Sequence, residues 1–234
     1  MNPLAILQHE AIGSPGSIGP ALRALGVSFM VRRLDLGEPL PVWPEETSGI
    51  ITLGGYMHVT QTQEFPFLSE EVGLLRNIAA SGGPVWGICL GAQLLTIALG
   101  GRVFRRKAPE VGWTLVDKTA DDPLLAGISS PFVAFNWHEY SCRAPAGGRT
   151  VARCGDGAQV LRLGAKAWAT QFHPEMDREM SADWLRCVAR EYPNSDGRAA
   201  ARLSEDTDLY LPGYPELCRQ LTHNFVHAGG LAVK

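Results

Sequence analysis

Short, uninterrupted apolar runs alternate, along the first hundred residues, with stretches in which apolar residues recur every three or four positions. Leu4 to Leu7 reads as a buried strand, and Ile18 to Leu25 as a helix closed by Gly26. Val27 to Leu34 is a second strand, and Ser48 to Leu53 a third that ends in Gly54-Gly55. Phe67 to Ala80 carries Leu68, Val72, Leu75 and Ile78 at helical spacing, and Ser81-Gly82-Gly83 stops it. A fourth strand from Pro84 to Ile88 leads into an apolar helix that starts at about Gly91 and is closed by Gly100-Gly101. Strands alternating with helices predict an α/β protein with a mainly parallel sheet flanked by helices. Its ligand crevice belongs at the carboxyl ends of the strands.

Beyond Gly101 the period shortens. Arg102 to Arg106, Trp113 to Asp117, Phe132 to Asn136, Thr150 to Cys154, Gln159 to Leu163 and Ala167 to Phe172 each read as a short strand, with a helical turn at Asp121-Asp122-Pro123-Leu124. These predict an antiparallel ribbon region laid on the sheet, whose last strand delivers Gln171-Phe172-His173-Pro174-Glu175 to the crevice end. A helix from about Arg178 to Arg190, a loop at Asn194-Ser195-Asp196-Gly197 and a helix from Pro215 to His227 complete the chain. With no internal repeat or low-complexity tract, residues 1–234 read as one domain, about 192–234 forming a C-terminal extension packed on it.

The fourth strand runs into Gly87-Ile88-Cys89-Leu90-Gly91-Ala92-Gln93. Glycine two residues before and after Cys89 relieves the crowding of a sharp strand-to-helix turn, which lifts the side chain out of the sheet's end. The helix beyond points its positive end at the sulfur and favours the thiolate, the form that attacks carbonyl carbon. An isolated cysteine is ordinarily a small core residue; the elbow gives this one a second reading, as a nucleophile. Such a thiol needs a base and a group that orients the base. His173 and Glu175 flank Pro174 just past a strand, where residues two apart share one side of the backbone.

Composition narrows the chemistry. A net charge of −3 offers no basic field for nucleic acid or an anionic membrane surface and favours a small-molecule ligand. Five cysteines without regular spacing argue against a disulfide framework and for free thiols in a reducing, cytoplasmic setting. The first residues lack the basic flank of a signal peptide. The longest apolar run, Val85 to Leu99, contains glycines and Gln93 and falls short of the ~20 residues that span a bilayer. Cys142, Cys154, Cys187 and Cys218 have no catalytic company and read as small hydrophobes, and Trp137, Trp168 and Trp184 as core or interface aromatics. His9 and His58 read as hydrogen-bonded surface groups near strand ends and loops, His58 being the closer to the cleft. His223 and His227 lack a third ligand, so no metal site is expected. Arg102, Arg105, Arg106 and Lys107 read as a solvated ribbon edge, the alternative being a docking patch.

Taken together, Gly87 to Gln93 and Gln171 to Glu175 resemble the class I, triad-type glutamine amidotransferase family. Lys107-Ala108-Pro109-Glu110-Val111-Gly112-Trp113 and Trp137-His138-Glu139 are most similar to the amidotransferase domain of GMP synthase and its stand-alone relatives. The resemblance implies a flavodoxin-like fold, no cofactor, and glutamine or a related γ-glutamyl compound as substrate. It implies Cys89 as nucleophile, His173 as acid and base, Glu175 as its partner, and the backbone amides of Gly55 and Leu90 as oxyanion hole. Gly54, Gln93, Asn136, His138, Glu139 and Tyr140 then bind substrate. One departure is the loop Gly55-Tyr56-Met57-His58-Val59, where the family runs from paired glycines into a proline and a serine. No phosphate-cradling loop or Ser-Gly-Gly-Xaa-Asp motif accompanies these residues. Three readings stand: ammonia release to a separate synthetase subunit or to solution, a stand-alone γ-glutamyl peptide hydrolase, and a non-catalytic partner-binding subunit. Self-association is compatible with each.

Overall fold

The structure, a computed structural model, describes residues 2–191 and 198–232. Strand β1 (Leu4–Gln8) is buried along its whole length, as a strand covered on both faces must be. It pairs in parallel with β2 (Phe29–Arg33) on one side and β3 (Ile50–Thr52) on the other. Then β3 pairs in parallel with β4 (Val85–Ile88), and β4 with β9 (Ala167–Thr170), which comes from the far end of the chain. The crossovers are α1 (Ile18–Ala24), α2 (Phe67–Ala80) and α3 (Leu90–Ala98). The carboxyl ends of β1, β3, β4 and β9 therefore open on one side, where Gly54, Cys89 and His173 follow their strands.

The shorter-period region differs from expectation in placement. Strands β5 (Arg102–Lys118), β6 (Phe132–Arg143), β7 (Arg149–Cys154) and β8 (Gly157–Gly164) are antiparallel, but they extend the sheet rather than lie on it. The nine strands run in the order β2-β1-β3-β4-β9-β8-β7-β5-β6. The two strands expected at Arg102–Arg106 and Trp113–Asp117 are one strand, β5. Its pairing with β6 shifts register between Arg105 and Glu110, which breaks the period along the sequence without breaking the strand.

Three helices follow: α4 (Arg178–Glu191), α5 (Arg198–Tyr210) and α6 (Tyr214–Gly229). The loop expected at Asn194–Gly197 lies outside the described residues. Helix α5 was not foreseen, because its apolar stripe is sparse. Helix α6 buries Cys218, Leu221 and Phe225 in the same core as Leu4, Ile6, Trp86 and Trp168. The Phe225 ring stands 5.6 Å from that of Trp86 and 6.0 Å from that of Trp168. A buried phenylalanine truncated to alanine costs roughly 3–5 kcal/mol, so α6 is a wall of the main core. A second cluster, including Leu7, Leu75, Leu94 and Leu161, fills the other face of the sheet. Among the described residues no helix is long and apolar enough to cross a membrane.

Candidate active site

Cys89 sits between β4 and α3 at φ +49° and ψ −103°, and among the described residues no other non-glycine residue has positive φ. Such a conformation costs of order 1–3 kcal/mol and persists where surroundings over-determine it. Here Cys89 N–H donates to Thr170 C=O at 2.9 Å and Gly91 N–H to Leu53 C=O at 3.0 Å. The flanking glycines are required by space. A Cβ on Gly87 would lie 2.4 Å from the Gly91 carbonyl oxygen, and one on Gly91 would lie 2.2 Å from that of Thr52. The elbow is backbone packed on backbone, and it leaves the thiol at the end of the sheet.

His173 arrives from β9 and is anchored to the antiparallel half, its N–H donating to Phe135 C=O at 2.9 Å. Its Nδ1 lies 2.8 Å from Glu175 Oε1, both side chains being buried, and its ring stands edge-on to Trp184 with centroids 4.6 Å apart. Burial opposes charge on this imidazole, but the sulfur of Cys89 and the carboxylate of Glu175 outweigh it and raise the pKa to about 10. A Cβ on Gly54 would lie 2.8 Å from His173 Cε1 and 3.6 Å from Cys89 Cβ, so residue 54 must be glycine for the ring to lie where it does. The loop before α1 holds Glu175 from behind. Ser17 N–H donates to the Glu175 carbonyl at 2.9 Å, and a Cβ on Gly16 would meet that oxygen at 2.1 Å.

A second histidine–carboxylate pair supports Gly54 from below. His9 Nδ1 lies 3.1 Å from Gly54 C=O and Nε2 lies 2.8 Å from Glu71 Oε2, while Thr52 Oγ1 donates to the other Glu71 oxygen. His9, Glu71 and Thr52 are fully buried, so His9 is not the surface group its place after a strand suggests: Glu71 and Gly54 draw it inside. With Glu71 ionised, both partners of the His9 ring are acceptors, and the imidazolium satisfies both. Its pKa is raised accordingly: burial lowers it, and Glu71 more than compensates. Leu90 opens α3, where a first-turn amide has no acceptor within its own helix. Gly55 stands beside it, and a Cβ there would approach Leu90 Cδ2 to 2.9 Å.

Cys89, the His173–Glu175 pair and the Gly54–Gly55 turn border a cavity of about 660 Å³, while the His9–Glu71 pair lies behind it. Of the residues singled out from sequence, Cys89, His173, Glu175, Gly54, Gly55, Leu90, Gln93, His138, Glu139 and Tyr140 all line it. Asn136 does not. Its amide donates to Thr114 Oγ1 at 2.8 Å and its carbonyl oxygen lies 3.2 Å from His138 Nε2, so it stands one layer behind the wall. His138 is itself occupied, with Nε2 3.0 Å from Glu110 and Nδ1 2.7 Å from Tyr140 C=O. It braces the stretch of β6 that carries Glu139 and Tyr140.

Sequence reasoning missed several lining residues. Glu10, just past β1, is half-buried there, and burial raises its carboxyl pKa against the opposing pull of His173. Its position at a strand's carboxyl end was the available signal. Trp137, Trp184 and Cys187, expected as packing residues, also border the cavity; His58, expected near the cleft, does so too, its ring tilted against that of Tyr140 with centroids 3.8 Å apart. Cys142 and Cys218 do pack as small hydrophobes: burial pushes the Cys142 thiol up to about 12 and Cys218 higher still. Among the described residues no group of three or more His, Cys, Asp or Glu side chains is placed to hold a metal ion.

A cysteine on a strand-to-helix elbow, facing a buried histidine–carboxylate pair across the crevice of an α/β sheet, defines a class of thiol hydrolases and transferases. Known proteins narrow the class. The family described as glutamine amidotransferase class-I matches residues 16–186. The imidazole glycerol phosphate synthase subunit HisH of Symbiobacterium thermophilum is 30% identical over 205 residues, covering 78% of this chain and 93% of that protein. The glutamine-hydrolyzing GMP synthase of Aeropyrum pernix is 32% identical over 182 residues, 73% of this chain but 33% of that longer protein. A Pseudomonas γ-glutamyl-L-1-hydroxyisopropylamide hydrolase is 27% identical over 154 residues, 61% of this chain and 52% of that one. Among solved structures, a glutamine amidotransferase from Thermotoga maritima superposes with a TM-score of 0.86 at 28% identity, covering 96% of this chain and 98% of that one. The chain belongs to the class I glutamine amidotransferase family.

Proposed function

We propose that this protein hydrolyses the side-chain amide of glutamine or a related γ-glutamyl amide through a thioester on Cys89. The observation that carries the reading is the meeting of the Cys89 elbow with the His173–Glu175 pair in one cavity. The Cys89 thiolate attacks the amide carbonyl carbon, and the oxygen that takes up charge is met by the amides of Gly55 and Leu90. Each such donor is worth roughly 3 kcal/mol where it is aimed at the developing charge. The His173 imidazolium gives its proton to the departing nitrogen, which leaves as ammonia or an amine. His173, now neutral, takes a proton from water as the water attacks the thioester. Glutamate departs and the thiolate–imidazolium pair is restored. Glu175 holds the Nδ1 proton throughout, so that the other ring nitrogen serves the reaction. Gln93, one turn into α3, faces the same space and contacts the glutamyl portion.

Replacing Cys89 by Ala is expected to abolish release of glutamate from glutamine and from γ-glutamyl amides alike; a variant as active as the unaltered protein overturns the reading. Ammonia released here passes to a separate synthetase subunit or to solution.

One observation favours a second reading, a free-standing hydrolase of larger γ-glutamyl amides. A cavity of about 660 Å³ lies in the range that encloses drug-sized ligands, well beyond what glutamine fills. The Tyr56-Met57-His58 loop forms part of its boundary. Comparing kcat/KM for glutamine with that for a panel of γ-glutamyl amides decides between the two.

A further inference from the structure

Phe135, within β6, and His173, just past β9, are linked by one direct backbone hydrogen bond and one relayed through a side chain. In a narrow antiparallel pair the two residues exchange both N–H···O=C bonds. Here His173 N–H donates to Phe135 C=O at 2.9 Å, but on the return side the phenol of Tyr214 stands between the chains. Phe135 N–H donates to Tyr214 Oη at 3.1 Å, and Tyr214 Oη donates to His173 C=O at 3.1 Å. Because the phenol has one proton and the Phe135 amide can only donate, that proton is committed to the His173 carbonyl. Three hydrogen bonds thus close a ring through the backbone of the histidine.

We propose that Tyr214 is the positioning residue for His173: its hydroxyl, wedged between β6 and the segment after β9, sets how far the imidazole stands from Cys89. The proposal rests on the hydrolytic reading above, and it gives the C-terminal helices a part in the reaction. The contact of His173 Nδ1 with Glu175 and the perpendicular packing on Trp184 fix the orientation of the ring; the bond from Tyr214 fixes the backbone that carries it. The wedge is itself braced. Tyr214 is buried at the start of α6, its ring stands edge-on to Trp113 with centroids 4.8 Å apart, and Trp113 Nε1 donates to Thr207 Oγ1 of α5 at 3.0 Å. Without the hydroxyl, the Phe135 amide and the His173 carbonyl would each be left unpaired in the interior, or would close on one another and draw His173 toward β6. Either result moves the base.

Tyr214→Phe keeps the ring and removes the wedge. In the full chain, kcat for the best γ-glutamyl substrate is expected to fall about ten- to a hundredfold, the scale of a misplacement near 1 Å, with KM little changed. The pH profile of Cys89 alkylation by iodoacetamide, which needs no turnover, is expected to move to higher pH as the sulfur and imidazole separate. Tyr210→Phe is the control, since its ring packs on Trp113 at 5.7 Å, and it should leave both readouts unchanged. A Tyr214→Phe protein that melts at lower temperature yet keeps the unaltered kcat and alkylation profile overturns the proposal. Should that variant not fold, meta-fluorotyrosine incorporated into the unaltered sequence takes its place. The buried Tyr214 fluorine resonance should titrate with the midpoint of the alkylation profile, and a resonance flat across that range overturns the proposal. If Cys89→Ala retains hydrolysis, the functional reading falls, while the alkylation experiment still decides the role of Tyr214.

Discussion

His173–Glu175 and His9–Glu71 are built alike and flank the same residue, Gly54. Both close at 2.8 Å, all four side chains are buried, and in both the histidine is held more basic than its burial alone would allow. Their surroundings differ. The first pair opens on a cavity with the Cys89 sulfur on its far side. The second is sealed, with Gly54 C=O on the remaining ring nitrogen and Thr52 on the remaining carboxylate oxygen. A histidine–carboxylate pair is therefore no signature of catalysis by itself. With an acceptor carbonyl at its far nitrogen it holds a loop; with a thiol there it is placed, in the mechanism proposed above, to move a proton.

The largest expected effect comes from breaking the open pair. Glu175→Gln keeps the shape but weakens the hold on the imidazolium, and hydrolysis should fall roughly 10²- to 10⁴-fold, the range of a displaced general acid–base, with the melting temperature much less affected. Full activity in this variant would separate Glu175 from the mechanism.

The matching change in the sealed pair should invert that outcome. Glu71→Gln leaves His9 as a buried cation without its counter-charge, which costs about 3–5 kcal/mol in urea unfolding, and turnover falls less because only the support of Gly54 is loosened. A Glu71→Gln protein as stable as the unaltered one would show that the sealed pair is not ionic.

The smallest effect is a titration. The Cys89 sulfur is a main reason His173 stands near 10 despite burial, so in Cys89→Ala the His173 ring should titrate at lower pH, read by its Cε1 proton resonance. Stability follows with a definite sign. A histidine whose folded pKa is raised stabilises fully below its unfolded value of ~6.5, and that contribution is lost as the pH rises through about 10. The unaltered protein should therefore lose stability across this alkaline window, and Cys89→Ala should lose less of it. An unchanged His173 titration in the variant would dissociate the ring from the thiol.

How legible each part was follows from the range of the signal that encodes it. The parallel strands were visible because a strand buried on both faces is continuously apolar, as Leu4 to Leu7 and Val85 to Ile88 are. Helix α2 was found with the bounds it has, from the spacing of Leu68, Leu75 and Ile78. The same spacing rule concealed Glu71: it reads as a solvated position between apolar ones, yet it is fully buried because His9 waits for it beneath the turn. Glu10 and Cys187 were missed for a related reason, since nothing local distinguishes a polar residue beside a cavity from one beside water. The register shift in β5 and the inward direction of Asn136, spent on Thr114 and His138, likewise depend on a partner strand.

The residues by themselves determined the strand–elbow–helix around Cys89, the two-residue spacing that lets Glu175 face His173, and the likeness of both to one family. Helical and extended periodicities reach only a few positions along the chain, and these features lie within that reach. Only the tertiary structure decided that His9 is buried against Glu71 beneath Gly54. It also decided that a tyrosine from the last helix holds the backbone of His173. Those outcomes depend on the order of strands in the sheet, with β9 returning beside β4 and β6 lying close enough to anchor residue 173, and no spacing along the chain encodes that order.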